Sequence, residues 1–319
     1  MIPSRKLAAL AAASALVLTA AACGGDDDTP PATEAPAATD APDATDAPVA
    51  TDTPAATDAP DSSGYPIEIE HALGTTVLEA KPERVATVQW ANHEVPLALG
   101  VVPVGMAAAN FGDPDGDGLL PWVSDKLEEL GADTPVLFDE NDGIDFEAVA
   151  DTDPDVILAA YSGLTQEDYD TLSEIAPTIP YPNTPWATAW RDMIRLNSAG
   201  MGMAAEGEAL IAEIEAEIAA TVGEHPELEG LQTMFAGHLD PTDLSEVGFY
   251  TAHDTRVQFF EDLGLQIADV VLEASAGTDS FSQSVSTEQI QVFDEVDLIV
   301  GYGDENGELL AALQADPLA

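Results

Sequence analysis

The stretch Asp153-Pro154-Asp155-Val156-Ile157-Leu158-Ala159-Ala160-Tyr161-Ser162 contains the apolar run that decides the fold class. Its core, 156–159, has no polar alternation and follows directly after a proline and an aspartate. Such a run is typical of a strand covered on both faces, and strands of that kind belong to parallel sheets flanked by helices. The stretch therefore predicts an α/β fold.

Strand and helix signals alternate on both sides of this run. After a small hairpin at 67–78, the first half predicts strands at 84–88, 101–106, 136–138 and 155–159, and helices at 92–99, 122–130, 146–150 and 166–175. The second half predicts strands at 233–238, 248–251 and 297–302, and helices at 255–263, 287–293 and 308–315.

The long helix-favouring stretch 187–220 separates these halves and is interrupted near Gly200 and Gly202. We expect two Rossmann-like lobes with parallel sheets, at 65–186 and 223–319, joined by a long connecting helix within 187–222. Open α/β sheets bind ligands at the carboxyl ends of their strands, so we expect a ligand cleft between the lobes.

The composition excludes several functions. The chain has 60 Asp and Glu against 8 Lys and Arg, for a net charge of −52. Binding of nucleic acid, or of an anionic lipid surface, through a basic face is excluded on this balance. Hydrophobic residues make up 45% of the chain, enough for a packed core, and a single cysteine rules out an internal disulfide framework.

The N-terminal residues indicate export. Arg5 and Lys6 precede an apolar run at 7–22, which predicts a signal peptide at 1–22. Cys23 follows small residues, as in a lipobox, although Ala20 stands where leucine is usual. We expect Cys23 to carry a lipid that anchors the protein at the extracytoplasmic face of the cell membrane. Ordinary cleavage that leaves a free thiol is the alternative.

Residues 23–64 predict a disordered tether. Thr-Asp-Ala-Pro and its close variants recur every six residues, and 24–64 contain no Leu, Ile, Phe or Trp. Such a segment cannot bury a core, and its prolines and like charges favour extended backbone. Whether its threonines are glycosylated stays open.

Six short stretches carry a resemblance to a known family: 69–76, 82–86, 98–105, 153–158, 172–178 and 284–288. In this order they resemble the substrate-binding lipoproteins of bacterial ABC importers, of the iron-siderophore and cobalamin type. The resemblance covers 65 to the end and implies a monomeric binder of a ferric siderophore that docks on a permease, with no cofactor besides the N-terminal lipid. Members of the family usually continue beyond this C-terminus, so an incomplete second lobe is expected.

A ferric siderophore presents the shell of its chelator, which aromatic walls and a few hydrogen-bond donors recognise better than metal ligands do. The candidates follow strands or open helices: Trp90, Asn92, Tyr161, Ser162, Trp186, Trp190, Arg191, Phe249, Tyr250, Arg256 and Phe281. Trp90 also matches the aromatic position that hydroxamate binders use. The alternatives are that Trp90 belongs to the lobe core, that a tryptophan packs the connecting helix, and that the arginines form surface or domain-bridging ion pairs. The acidic balance favours a cationic or neutral ferric complex over an anionic one, unless Arg191 and Arg256 both line the cleft.

The resemblance also implies two docking residues for the permease, Glu147 and Glu288, one on each lobe. The alternative is that both are solvated acids. Hydroxamate binders carry an arginine six residues before the first docking glutamate, and Asn141 stands there in this chain.

Asp113, Asp115 and Asp117 occupy positions one, three and five of a calcium-loop pattern, with Gly118 at position six. Ser124 stands at position twelve, where a glutamate is expected. A plain Asx-rich turn is therefore favoured over a calcium site.

Three rival functions remain at this point. A zinc or manganese binder would need several histidines in the cleft, for which His93, His238 and His253 are the candidates. A heme or cobalamin binder would use Tyr250 or His253 as an axial ligand. An exported enzyme is less well supported, since the sequence has no nucleophile elbow, zincin motif or phosphate loop.

Overall fold

The computed structural model describes residues 64–237, 243, 245–303 and 307–315. The predicted signal peptide, Cys23, His238 and all but the last residue of the predicted tether lie outside these residues. In the described part, no helix combines the length and the apolar character that crossing a membrane requires.

The first lobe begins with an antiparallel hairpin of β1 (Ile67–His71) and β2 (Gly74–Leu78). Strands and helices then alternate, and all of these elements except β7 are predicted from the sequence: β3 (Val85–Thr87), α1 (Glu94–Ala98), β4 (Gly105–Ala107), α2 (Pro121–Leu130), β5 (Val136–Phe138), α3 (Phe146–Asp151), β6 (Val156–Ala159), α4 (Gln166–Ile175) and β7 (Thr178–Pro180). The five strands β3 to β7 form one parallel sheet in the order β5-β4-β3-β6-β7.

Strand β6, which lies between β3 and β7 in the sheet, is covered on both faces. Val156 and Leu158 pack in one apolar cluster with Ile194 and Ile211, whereas Ile157 faces the opposite cluster with Leu172. All three β6 residues are fully buried, which confirms the prediction from the apolar run.

The connecting region consists of two helices, α5 (Trp190–Gly200) and α6 (Ala204–Glu224), and α6 is the long helix that leads into the second lobe. The break falls where the sequence predicts it, and Gly202 adopts the left-handed conformation there with φ of 65°. Gly207 lets the two helices approach closely, because a Cβ at this position would lie 2.0 Å from Ser198 Oγ.

The parallel sheet of the second lobe has three described strands, against five in the first lobe. The elements of the second lobe are β8 (Gln232–Phe235), β9 (Glu246–Tyr250), α7 (Thr255–Asp262), β10 (Gln266–Ile267), α8 (Asp269–Ser275), β11 (Ser282–Ser286), β12 (Leu298–Val300) and α9 (Glu308–Ala315), with 3-10 helices at Pro226–Leu228 and Thr287–Phe293. Strands β10, β8 and β12 form a parallel sheet with β8 in the centre, and β9 and β11 form an antiparallel ribbon. The α/β fold class with two lobes is confirmed.

Several details differ from the sequence prediction. Strand β4 begins only at Gly105, because Pro103 has no N–H to donate to a ladder. The segment Thr287–Phe293 is a 3-10 helix instead of an α-helix. Elements β7, β10, α8 and β11 were not predicted as regular structure.

Candidate functional site

The carboxyl ends of β3 and β6 form the centre of the candidate site. These strands are neighbours in the sheet, yet the chain leaves them in opposite directions, through β4 on one side and β7 on the other. Where the connections that follow two neighbouring strands lead to opposite sides of a sheet, a crevice opens at the carboxyl ends of those strands. Proteins of the α/β class bind ligands in this crevice. Trp90 follows β3 and Tyr161 follows β6, so the two loops meet at this crevice.

Asn92 joins these two loops. Its Oδ1 accepts a hydrogen bond from Tyr161 N at 2.9 Å, and its Nδ2 donates to the carbonyls of Tyr161 at 2.8 Å and Val88 at 2.9 Å. Weaker contacts reach Trp90 O and Asn197 Nδ2. Asn92 is fully buried and its amide is consumed by holding the loops together, which argues against the predicted direct contact with a ligand.

The loop after β3 holds its backbone in an uncommon conformation. Gln89 and Ala91 have φ of 62° and 63°, a region that side chains other than glycine seldom adopt. Glu140 supports Gln89 by accepting its backbone N–H at 2.9 Å and its Nε2 at 3.0 Å. Burial raises the pKa of Glu140, and the Gln89 bonds only partly offset this effect.

Three aromatic candidates of the first lobe gather beside this loop. Trp90 and Trp186 both line a cavity of about 280 Å³, and Tyr161 meets Trp186 edge-on with ring centroids 5.4 Å apart. Gly163 lets the Trp186 indole lie against the backbone, since a Cβ there would lie 2.2 Å from Trp186 Nε1. Trp90 also packs against the apolar cluster around Met106, so it serves the lobe core and the cavity together.

The second lobe contributes an aromatic pair and an arginine. Tyr250 and Phe281 stack with centroids 6.4 Å apart and line a cavity of about 510 Å³. The Arg256 guanidinium lies 3.6 Å above the Tyr250 ring and forms bonds of 2.8 and 2.6 Å to the buried Asp254. A further bond of 2.6 Å reaches Tyr302 Oη. The bonds within the described residues use three of the five N–H groups, which leaves two that could donate to a ligand.

The lobes meet through residues that the sequence prediction missed. Phe111, in the loop after β4, contacts Tyr302, which follows β12, with ring centroids 5.7 Å apart. Tyr161 of the first lobe forms a side-chain hydrogen bond with Thr255 of the second lobe. Burial raises the pKa of the Tyr161 hydroxyl, and this hydrogen bond partly offsets the rise. Phe111 and Tyr302 both follow parallel strands, so the strand-end rule that selected Trp90 and Tyr161 could have found them.

Arg191 and Trp190 form a clamp between α5 and the second lobe. Arg191 binds both carboxylate oxygens of Asp262 on α7, at 2.9 and 2.8 Å, and Trp190 Nε1 donates to Asp262 Oδ2 at 2.8 Å. Arg191 also binds Glu215 of α6 at 2.6 Å. The domain-bridging alternative for Arg191 is therefore what the structure shows.

Ser162 and Phe249 are buried, which argues against the predicted contact of their side chains with a ligand. Ser162 is fully buried, and its hydroxyl has no hydrogen-bond partner among the described residues. Phe249 is 1% exposed and packs edge-on against Phe293 in the core of the second lobe. Ser162 follows β6, whereas Phe249 lies within β9, and both side chains are buried. Phe249 also borders the cavity that Tyr250 and Phe281 line.

The described acidic loop at 113–118 has the geometry of a turn. Asp113 accepts backbone N–H bonds from Gly116 and Gly118 at 2.8 Å, and Asp117 accepts one from Leu119. Oxygens of Asp113, Asp115 and Asp117 lie within 4.8 Å of one another, and both carboxylate oxygens of Asp113 already accept a backbone N–H. This is the arrangement of an Asx-rich turn.

The histidines that the structure describes do not converge on one another. His253 Nε2 faces the carbonyl oxygens of Ser275 and Thr278, at 3.2 and 2.9 Å, and His71 bonds Thr76 in the hairpin. His93 is buried beside the first-lobe cavity, and burial lowers its pKa to about 4. Within the described ranges, the Asp113 loop is the one group with three candidate metal-ligating side chains in reach of each other.

A second large cavity, of about 900 Å³, lies along α6 and is lined chiefly by apolar side chains such as Met193, Ile214 and Phe259. It offers few polar groups to hold the oxygen-rich shell of a chelate. The cleft at the strand ends combines aromatic walls with donors and is therefore the better candidate site.

Comparison with known proteins agrees with this architecture. Residues 85–319 match the family model described as periplasmic binding protein, and the chain belongs to this family. It is similar to PiaA of Streptococcus pneumoniae TIGR4, solved in complex with ferrichrome, with 45% identity, a TM-score of 0.74, and coverage of 79% of this chain and 83% of that chain.

Two further relatives are more distant. Staphylococcus aureus SirA, complexed with staphyloferrin B, shares the fold with 20% identity and a TM-score of 0.59, over 79% of this chain and 84% of that chain. The probable siderophore-binding lipoprotein YfiY of Bacillus subtilis (strain 168) is 28% identical over 159 residues, which are 49% of this chain. The match spans 45% of that curated relative's length.

Replacing Asn92 by alanine is expected to lower the free energy of unfolding by about 2–4 kcal/mol, because it leaves the Tyr161 backbone groups buried without partners. Urea unfolding measures the change. The matched control is Asn141→Ala, an exposed asparagine whose loss is expected to cost less than about 0.5 kcal/mol. Equal effects of the two changes would contradict the role assigned to Asn92.

Asp262→Asn is expected to lower the free energy of unfolding by about 1–2 kcal/mol at neutral pH, since it breaks the paired bonds with Arg191. Burial works to raise the pKa of Asp262, but the Arg191 and Trp190 bonds outweigh it and lower the pKa overall. The stabilisation is therefore complete above the ordinary carboxyl pKa of about 4 and is lost as the pH falls through the lowered value.

Urea unfolding along an acid series measures this difference. The control is Glu208→Gln, which removes the exposed partner of Arg195 and is expected to cost under about 0.5 kcal/mol. A deficit of Asp262→Asn that persists unchanged in acid would refute the clamp.

Proposed function

We propose that this chain is an extracytoplasmic substrate-binding lipoprotein that captures a ferric siderophore between its lobes and delivers it to an ABC importer. One observation carries the proposal: aromatic walls and an arginine with N–H groups to spare face one another at the strand ends of two lobes. The similarity to PiaA, whose structure contains ferrichrome, supports a ferric hydroxamate as the ligand class.

The cleft suits a chelate of this kind. Trp90, Tyr161 and Trp186 on one side, with Tyr250 and Phe281 on the other, can cover the apolar parts of the chelator. Arg256 can donate its two remaining N–H groups to the oxygens that surround the iron. Asp254 and Tyr302 fix the guanidinium in place, so little side-chain entropy is lost when the ligand binds.

The remaining candidates act at a distance from the ligand. Asn92 holds the two first-lobe loops, Phe249 and Ser162 pack beneath the cleft, and Arg191 with Trp190 joins α5 to α7. Because Arg191 is held in this clamp, Arg256 is the one arginine that we propose to contact the ligand. A single basic contact in so acidic a protein favours a neutral or cationic ferric complex.

The proposal extends to the membrane and the permease. Cys23 is proposed to carry the lipid, with 23–64 as the tether between anchor and lobes. Glu147 lies in the first turn of α3 and Glu288 in the 3-10 helix after β11, and both are exposed. One exposed glutamate on each lobe can orient the protein on basic residues of a permease.

Trp90→Ala is expected to weaken ferrichrome binding about tenfold or more, because it removes a large aromatic wall of the cleft. Titration of the intrinsic tryptophan fluorescence measures the affinity. The matched control is Trp122→Ala, which removes a tryptophan that is 57% exposed on α2 and should leave the affinity unchanged.

The same titration tests the ligand class. Quenching by heme, cobalamin or a divalent metal, with no response to ferric hydroxamates, would contradict the proposed function. Equal losses in the two tryptophan variants would contradict the proposed position of the ligand.

Reversing both docking charges, Glu147→Lys with Glu288→Lys, is expected to reduce siderophore uptake by cells while ligand affinity stays intact. The control reverses one exposed glutamate on each lobe elsewhere, Glu167→Lys with Glu273→Lys, for the same change in net charge. If cells with the Glu147→Lys and Glu288→Lys changes take up as much siderophore as cells with the control changes, the docking assignment is wrong.

A further inference from the structure

The first-lobe cavity, which Trp90 and Trp186 line, also contains a carboxylate, that of Glu140. Its described lining combines two indoles, small alanines and one carboxylate: Gln89, Trp90, Ala91, His93, Ala107, Ala108, Ala109, Asn110, Leu120, Glu140 and Trp186. Its volume of about 280 Å³ lies below the usual range for sites that hold a whole drug-sized ligand. The cavity is therefore suited to one arm of a ligand whose bulk lies elsewhere in the cleft.

Glu140 gives this cavity a negative charge that the described residues do not neutralise. Its carboxylate accepts bonds from Gln89 N and Gln89 Nε2, both of them uncharged donors. A carboxylate has about four acceptor positions, and Oε1 takes part only in a 3.1 Å contact with Gln89 N. No arginine or lysine is among the described residues that line the cavity.

No ion pair of the described residues joins Glu140 to an arginine or lysine. Arg256 is held by Asp254 and Tyr302, and Arg191 by Asp262 and Glu215. His93 lines the same cavity, but its burial lowers its pKa to about 4, so it is uncharged at neutral pH. A half-buried carboxylate without a cationic partner is costly, and burial accordingly raises the pKa of Glu140.

We infer that this cavity is a subsite for a cationic arm of the ligand, a primary ammonium group that lies between the Trp90 and Trp186 indoles and pairs with Glu140. The inference rests on the proposed function and adds a preference to it: among ferric hydroxamates, those that carry a free amine bind more tightly. The ammonium supplies the charge that Glu140 lacks, the indole faces attract it through cation–π interactions, and the net charge of −52 draws a cationic complex to the protein.

The experiment compares two ligands that differ at that arm. Ferrioxamine B is a linear ferric trihydroxamate with a terminal ammonium, and its N-acetyl derivative carries a neutral amide at the same place. Their affinities are measured by fluorescence titration or competition on the wild type, on Glu140→Gln and on Asp139→Asn. Asp139 is the exposed neighbouring carboxylate, so the two variants change the net charge equally.

The readout is the ratio of the two affinities within each protein, which cancels any general loss from a disturbed Gln89 loop. The wild type and Asp139→Asn are expected to prefer ferrioxamine B about tenfold. Glu140→Gln should bring the ratio to about one. The acetyl group also makes the arm larger, and this steric difference is the same in Glu140→Gln as in the wild type. If Glu140→Gln still prefers ferrioxamine B about tenfold, the preference comes from the size of the arm and the inference is wrong.

A wild-type ratio near one also overturns the inference while the proposed function stands, since both complexes still bind. If neither complex nor ferrichrome binds the wild type, the proposed function itself fails. An equal fall of the ratio in Asp139→Asn and Glu140→Gln assigns the preference to overall charge and excludes the subsite.

Discussion

The hydrogen bonds of the Asn92 amide are the constraint on which the candidate site depends. They tie the loop after β3 to the loop after β6, at the point where the chain diverges to opposite sides of the sheet. With those loops joined, Gln89 and Ala91 can be held at positive φ, Trp90 and Trp186 line one cavity, and Tyr161 packs edge-on against Trp186. A fully buried amide with its polar groups bonded is stable in this position, whereas an unpaired one would be costly.

The scarcity of basic residues shapes the rest of the molecule. Arg191 links α5, α6 and α7, Arg195 pairs with Glu208, and Arg84 donates to the carbonyls of Thr152 and Asp153. Arg191 lies over the Trp190 ring and Arg256 over the Tyr250 ring, but Arg256 differs from the other three in that its carboxylate partner, Asp254, is buried. A protein this acidic thus uses most of its cations for structure and presents few to a ligand.

The sequence predicted the architecture better than the site. The unbroken run at 156–159 and the glycine signals near 200 correctly indicated a doubly covered strand and a broken helical connection, because burial and helix termination depend on local residue chemistry. Strands β10 and β11 escaped prediction, since two residues or a Ser-Gln run become a strand only through pairing with β8 or β9. Strand-end position selected Trp90 and Tyr161, but it could not separate them from Asn92 or Phe249, whose side chains turn inward. The role of Arg191 depends on Asp262, and the position of Asp262 is set by the packing of α7 against α5, which no local sequence pattern predicts.

Amide hydrogen exchange with and without ferrichrome tests the central claim, that a ferric siderophore binds at the joined strand ends between the lobes. The account predicts slower exchange, by about tenfold or more, at 89–93, 161–163 and 250–256, with little change at 113–118 and along α6. Protection confined to the apolar cavity beside α6, or no protection in either place, would contradict it.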